Sequence, residues 1–284
     1  MPRNRRIISG RPVMITGAGS GIGRSLAQRL SRSGSPVAIA DIDGTGLKGT
    51  AQSLRGPVLT QVLDVCDAEA QIRFAAEVRG WLTAPLAAVF NNAGVGVAAP
   101  VLGADPDDDE WLWRINFGGV VNGTRAFLPI LAEQNEGVIV NTSSVFGLLG
   151  MPYQSAYCAS KFAVRGFTDA LRQELRGTGV SAVTVHPGGI RTNIARNARI
   201  RSDPEGRGRT HDQMAAEFEA ITMTSPEKAA EIICRGVERG KSRILVGPDA
   251  YAFDALARLA PAHYFDLIAP LEKRLRARQA GGQR

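Results

Sequence analysis

Cysteine and histidine are scarce in this chain, with three of each among 284 residues. Cys66, Cys158 and Cys234 stand at no metal-ligand spacing and cannot all pair, which argues against a disulfide framework and suits a reducing compartment. His211 and His263 fall in unrelated segments, and His186 reads as a strand-end packing residue, so there is no case for a metal. No run of eighteen apolar residues is present, and Met1-Pro-Arg-Asn-Arg-Arg6 leads into a strand-like segment without an apolar secretory core. A cytoplasmic protein is the expectation. The net charge of +7 invites a nucleic-acid reading, but its distribution answers it. Residues 1–11, 191–209 and 271–284 hold fifteen Lys and Arg against three acids, leaving the remainder acidic. These segments are expected to be solvated basic collars, and they lack the interleaved aromatics of a single-strand binding platform, so no nucleic-acid partner is expected.

What the chain does contain is a regular alternation. With 44% hydrophobic residues it is long enough to bury a sizeable core. Apolar runs suited to buried strands fall at 12–16, 36–41, 58–63, 86–91, 137–142, 180–185 and 243–246. Helix-length amphipathic segments lie between them, at 22–33, 44–54, 67–80, 107–134, 153–176 and 226–239. Such alternation predicts an α/β fold with a doubly wound, Rossmann-like parallel sheet, whose ligands sit beyond the carboxyl ends of the strands. The expected organisation is a basic segment over 1–10, a single domain over 11–247 and a helical C-terminal extension over 248–284.

The first strand, Val13-Met-Ile-Thr16, runs into Gly17-Ala-Gly-Ser-Gly-Ile-Gly23 and then a helix-like segment. Gly17, Gly21 and Gly23 let the backbone turn tightly and approach a pyrophosphate, whose charge the helix N-terminus stabilises. Asp41 closes the second strand, eighteen residues beyond Gly23. A carboxylate there accepts from ribose hydroxyls and repels a 2′-phosphate; Ile42 and Ser20 supply no compensating cation, so NAD is expected over NADP. The alternative is that Asp41 only caps the next helix.

The segment Ser144 to Lys161 concentrates the candidate chemistry. On a helix Tyr157 and Lys161 share one face, where a cation beside a phenol favours the phenolate and makes a general acid/base. Ser144 emerges at the end of the strand Gly137-Val-Ile-Val-Asn-Thr142, where its hydroxyl can meet a substrate oxygen. Alone, Tyr-x-x-x-Lys is a pairing that occurs by chance on many solvated helices. Asp64 and Asn91-Asn-Ala-Gly94 also stand at strand ends, although each reads equally as an ordinary turn. Asn116 sits inside a helical pattern, ahead of Gly118-Gly119, where a kink would account for it. His186-Pro-Gly-Gly-Ile-Arg-Thr192 ends a further strand, and Thr192 could fix a carboxamide.

In these motifs and their order the sequence resembles the short-chain dehydrogenase/reductase family over roughly residues 10–247. The resemblance implies that Tyr157 is the catalytic acid/base, that Ser144 orients and polarises the substrate oxygen, and that Lys161 holds the nicotinamide ribose and lowers the Tyr157 pKa. It implies that Asn116 anchors a proton-relay water. Gly17, Ser20, Gly21, Ile22, Asp41, Asp64, Val65, Asn92, Ala93, Gly94, Pro187, Ile190 and Thr192 match cofactor contacts, together with Tyr157 and Lys161. The activity so implied is NAD-dependent interconversion of a secondary alcohol and a ketone, in a homodimer or homotetramer built on helices 107–134 and 153–176. A catalytically silent dinucleotide sensor or scaffold on the same fold is the alternative from another class, but it should have lost Tyr157 or Lys161. A lyase or epimerase usually wants a longer substrate domain.

Segments 95–99, 145–153 and 193–224 should face the substrate, and their Phe146, Leu148, Leu149, Met151, Met214, Phe218, Ile221 and Met223 lean toward a lipophilic one. In the extension, Tyr264, Leu267, Ile268, Leu271 and Leu275 form an apolar helical stripe beside Lys273, Arg274, Arg276 and Arg278. Pro261, Pro270, Asp266 and Glu272 interrupt or dilute it, so docking on the protein, its own body or a partner subunit, is expected ahead of contact with an anionic membrane.

Overall fold

The computed structural model describes residues 7–268. Seven strands form one parallel sheet: β1 (Val13–Thr16), β2 (Val37–Asp41), β3 (Val58–Val62), β4 (Ala88–Asn91), β5 (Gly137–Thr142), β6 (Val180–Pro187) and β7 (Arg243–Val246). Their spatial order is β3-β2-β1-β4-β5-β6-β7, so the direction of winding reverses between β1 and β4. Between the strands run α1 (Gly21–Arg32), α2 (Gly44–Gln52), α3 (Ala68–Trp81), α4 (Pro106–Trp113), α5 (Gly119–Gln134), α6 (Ser155–Glu174), α7 (His211–Ile221) and α8 (Pro226–Glu238). After β7 comes α9 (Pro248–Leu259), and residues 264–268 are again helical.

The strands read as unbroken apolar runs because both faces of the sheet are covered. Val13, Ile15, Val37 and Ile39 point to one side, where Leu26 and Leu30 of α1 and Ile233 and Val237 of α8 meet them. Met14 and Ala38 point to the other, against Phe74 and Val78 of α3, Phe127 and Leu131 of α5 and Leu171 of α6. Phe74 and Phe127 pack edge to face with centroids 6.0 Å apart. Burying each such ring contributes about 1.5–3 kcal/mol.

Caps start most of the helices. Asp43, Asp67, Asp105, Thr210 and Ser225 each accept a first-turn N–H, and Pro106 and Pro226 follow two of them as first helical residues. The helical pattern over 107–134 is divided: α4 and α5 are separated by a π-helical turn over Arg114–Gly118. That places the expected kink around Asn116, whose side chain is drawn into contacts away from its own helix. α7 is a helix within 193–224 that the apolar periodicity does not announce. Its Thr210-x-x-Gln213 capping box was the available signal, with Gln213 Oε1 accepting from Thr210 N–H in return.

The Arg-rich segment expected as a solvated collar is instead cross-linked. Arg196 pairs with Glu219 at 2.7 Å, Arg199 with Asp108 at 3.0 Å, and Arg201 with Asp108 at 2.6 Å and Asp105 at 2.9 Å. Arg209 holds Asp203 at 2.7 Å and Glu217 at 2.6 Å. Acids from α4 and α7, remote in sequence, supply the counter-charge that the local composition lacks. Of the extension's stripe, Ile268 is buried and Leu267 exposed, while Leu271 and Leu275 lie outside the described residues, as do residues 1–6 of the basic N-terminal segment. Among the described residues no helix is long and apolar enough to cross a membrane.

Candidate active site

Parallel pairing puts the ends of β1, β2, β4, β5 and β6 on one edge of the sheet, and every predicted site residue is on that edge or on a helix facing it. After β1 the glycine loop closes on itself. Gly17 and Gly21 have φ of +67° and +50°, in the left-handed region. A Cβ on Gly23 would lie 2.1 Å from the Gly17 carbonyl oxygen, so loop and helix start can approach this closely only without a side chain there. Ser20 precedes α1 without capping it, leaving the first-turn amides unclaimed by a side chain. Arg24 reaches back from α1 to the Gly19 and Gly46 carbonyls, and its Nε donates to Thr50 Oγ1 at 2.9 Å.

Asp41 does not cap the next helix; Asp43 does. The Asp41 carboxylate instead accepts from Gly19 N–H at 2.7 Å and from Asp43 N–H at 2.9 Å, one bond per oxygen, so each oxygen keeps a lone pair for a further donor. Ile42 beside it is 69% exposed, and with Asp64 it lines a depression of about 330 Å³. Asp64 accepts from Cys66 N–H at 2.9 Å, while Val65 is buried under the α5 start at Gly119. After β4, Thr16 Oγ1 accepts from Asn92 N–H at 3.1 Å and Ala93 N–H at 3.2 Å, and the Asn92 amide donates to Thr16 O at 3.2 Å. These bonds lock the Asn-Asn-Ala-Gly turn onto the glycine loop.

Tyr157 and Lys161 lie one turn apart on α6, with the Lys161 Nζ 5.6 Å from the centre of the Tyr157 ring. Lys161 donates to the Thr142 carbonyl at 3.2 Å. Gly94 brings the β4 turn against this amine: a Cβ there would stand 3.2 Å from Lys161 Nζ and 3.1 Å from Asn116 Oδ1. Asn116 is fully buried and pairs with the backbone of Val95, accepting its N–H at 2.8 Å and donating to its carbonyl at 3.0 Å. Ser144 follows β5, its hydroxyl accepting from Phe146 N–H at 3.2 Å. His186 sits beneath: its Nδ1 lies 3.0 Å from the Ser144 carbonyl, and burial pushes its pKa down to about 4. The packing residue expected from sequence thus also holds Ser144 in place.

The electrostatics correct one expectation. Burial pushes the Tyr157 phenol up to about 12, against which the Ser144 hydrogen bond acts, and burial pushes Lys161 down to about 8. The cation does not lower the phenol here, because desolvation penalises the phenolate and the ammonium alike. In this state Tyr157 is a proton donor across the neutral range.

The Pro187–Thr192 turn completes the edge. Ile190 pairs with Thr224 as an isolated bridge, and a Cβ on Gly21 would lie 3.1 Å from the Thr192 methyl, so the turn spans to the start of α1. Around the opening, Tyr153, with φ of +63°, accepts Ala99 N–H at 3.0 Å and joins two of the expected substrate-facing segments. Leu148 and Leu149 are buried. Met223 lines a cavity of about 700 Å³ between α8, β7 and α9, with Lys228, Arg235 and Tyr251. None of Ser144, Tyr157, Lys161 and Asn116 lines that cavity. Among the described residues no group of three His, Cys, Asp or Glu could hold a metal ion.

A doubly wound sheet with a glycine cradle, a strand-end acid and a Ser, Tyr, Lys, Asn cluster on one edge defines a nucleotide-dependent oxidoreductase. The family described as short chain dehydrogenase matches residues 11–203, and the chain belongs to it. SadH of Mycobacterium tuberculosis, named as an oxidoreductase, is 44% identical over 267 residues, covering 92% of this chain and 94% of the relative. Dehydrogenase/reductase SDR family member 7B of Xenopus laevis is 32% identical, covering 94% and 83%. A short-chain dehydrogenase from Burkholderia phymatum, solved in complex with NAD, superposes with a TM-score of 0.80 at 30% identity, covering 88% of this chain and 94% of that one. A serine dehydrogenase solved with NADP+ has a TM-score of 0.73 at 26% identity, over 84% and 95%. Solved relatives thus hold either coenzyme.

Proposed function

We propose that this oxidoreductase interconverts a secondary alcohol and a ketone with NAD, using Tyr157 as the proton-transfer group. The observation that carries the reading is the Lys161 amine on the same helix face as Tyr157, 5.6 Å from its ring, with Ser144 emerging at the end of β5. The residues fit a dinucleotide: the loop of Gly17, Ser20, Gly21 and Ile22 presents amides to a pyrophosphate, and Asp41 accepts from ribose hydroxyls. Asp64 and Val65 flank its base, and Asn92, Ala93, Gly94, Pro187, Ile190 and Thr192 flank its nicotinamide half. Bound there, the coenzyme supplies the hydride acceptor or donor.

The chain's own residues manage the proton. For ketone reduction the Tyr157 phenol donates to the substrate oxygen while Ser144 hydrogen-bonds that oxygen and orients it. Lys161 serves the ribose, and Asn116, locked to Val95, holds the relay toward Lys161. NAD is preferred because Asp41 would repel a 2′-phosphate, and Arg24 at the glycine loop is engaged with Gly19, Gly46 and Thr50. Phe146, Leu148, Leu149 and Met151 favour a lipophilic substrate. A homodimer or homotetramer would use the α5 and α6 surface, where Phe162 is 40% exposed.

The test is the nicotinamide absorbance change on incubating the full chain and NAD with 2-propanol, cyclohexanol and 2-octanol. Turnover with 2-octanol ahead of 2-propanol is expected, and rates rising with pH for oxidation because Tyr157 must first lose its proton. Absence of turnover in either direction across such alcohols and their ketones would return the reading to a silent nucleotide-binding protein.

A further inference from the structure

Asp249 belongs to the first turn of α9, beyond the matched residues 11–203, and no motif singles it out. Its carboxylate nonetheless reaches the Pro187–Thr192 turn, accepting from the Gly189 N–H at 2.6 Å across sixty residues of sequence. Room for it is made by missing side chains. A Cβ on Gly188 would lie 2.1 Å from Asp249 Oδ2, and one on Gly247 would lie 2.5 Å from Oδ1. Gly247 also has φ of +102°, a conformation that admits the sharp entry from β7 into α9. Oδ1 is enclosed and accepts no hydrogen bond, a costly arrangement for a residue that merely packs.

The turn has few other restraints. Gly188 N–H donates to Val246 O at 2.9 Å and Arg191 N–H to Thr224 O at 2.9 Å, while the Gly189 carbonyl accepts only a long bond from Thr224 N–H at 3.4 Å, so the short bond to the carboxylate is the main restraint on Gly189 itself. A charge-assisted bond to a backbone amide is among the stronger of its kind. Its removal loosens Gly189, and glycine is the residue that loses most conformational entropy when ordered.

We infer that Asp249 is a positioning residue through which the C-terminal helix holds the coenzyme-side turn in its binding geometry. The inference rests on the coenzyme reading above and adds to it a residue outside the matched segment. The extension then contributes to nicotinamide affinity without touching the coenzyme, and its second attachment, Tyr264 to Gly150, acts on the opposite side of the opening.

The experiment titrates NADH into the full chain by fluorescence, for wild type, Asp249→Ala, Asp249→Ser, Asp249→Asn and Tyr264→Phe. Hydrogen exchange of the peptide spanning 187–192 is followed in parallel without coenzyme. Asp249→Ala and Asp249→Ser are expected to raise the NADH Kd about tenfold and to deprotect that peptide. Asp249→Asn, which keeps an acceptor oxygen, is expected to restore most of the affinity. Tyr264→Phe should leave both readouts unchanged. Serine is well tolerated in a first helical turn, so it carries the test if the alanine variant does not fold. Unaltered NADH affinity in the Ala and Ser variants would overturn the inference, as would equal losses in Tyr264→Phe, which would mark general loosening of the extension. Wild type that fails to bind NADH would instead sink the coenzyme reading, while protection of 187–192 would still report whether Asp249 holds the turn.

Discussion

The proposed coenzyme end and the proposed substrate end of this protein are built from opposite materials. The first consists of backbone held close to backbone: glycines at 17, 21 and 23, and a turn locked by one threonine hydroxyl. The second is closed by long side chains, with Arg199 and Arg201 of one loop converging on Asp108 and Arg199 lying 3.8 Å over the Trp111 ring. Asp108 is almost wholly enclosed, and the hydrogen bond from Arg201, helped by that from Arg199, holds its carboxyl below the usual range. Backbone cradles tolerate almost no substitution, whereas side-chain clasps can be loosened by degrees.

The two ends share a floor, and breaking it should have the largest effect. Tyr157→Phe is expected to lower kcat by about 10²–10⁴ while NAD binding, measured by titration, stays near wild type. The floor should also be sensitive to acid through His186. Its folded pKa of about 4 lies below the ordinary 6.5, so the unfolded chain takes up the proton first. Stability is therefore lost as pH falls from 6.5 toward 4, by at most about 3 kcal/mol. Melting curves at pH 7 and pH 5 should show that loss in wild type and a smaller one in His186→Asn.

Substitutions within one end should then separate the two. Gly23→Val, whose Cβ would meet the Gly17 carbonyl, should weaken NAD binding by about tenfold or more, as overpacking costs about 1–3 kcal/mol. Asp41→Ala with Ile42→Arg should shift the NADP to NAD preference in kcat/KM by about tenfold, removing a repulsion and adding a phosphate partner. The smallest effect is expected from Asp108→Asn. It loosens ion pairs whose arginines are largely exposed, so the KM for 2-octanol should rise by roughly two- to fivefold with NAD affinity unchanged. Equal changes in both constants would erase the distinction between the ends.

The coenzyme end was also the more legible in sequence. Its signals are local: a strand, a glycine spacing and an acid eighteen residues on are properties of short windows, and Gly17 to Asp41 fall into place as read. Asp41 was legible as a strand-end acid, but its engagement with the Gly19 amide was not, because that depends on how the loop folds back over β2. The division of 107–134 by a π-helical turn followed the one odd residue, Asn116, whose partner Val95 lies on another segment. At the substrate end the arginines read as solvent-facing because their acids are distributed over α4 and α7. α7 carries a capping box as its only local signal, and its apolar residues fit a pocket lining as well as they fit a helix.

The sequence alone determined the alternation of strands and helices, the glycine cradle and the Tyr157 and Lys161 pairing, because each follows from periodicities of two and 3.6 residues or from steric rules at single positions. The tertiary structure decided what depends on distance through space. It set the balance of burial and charge that keeps Tyr157 protonated, the clasp of Arg199 and Arg201 on Asp108, and the bond from Gly189 to Asp249. Desolvation and long-range hydrogen bonds are properties of surroundings, and surroundings come into being only when segments far apart in the chain are packed together.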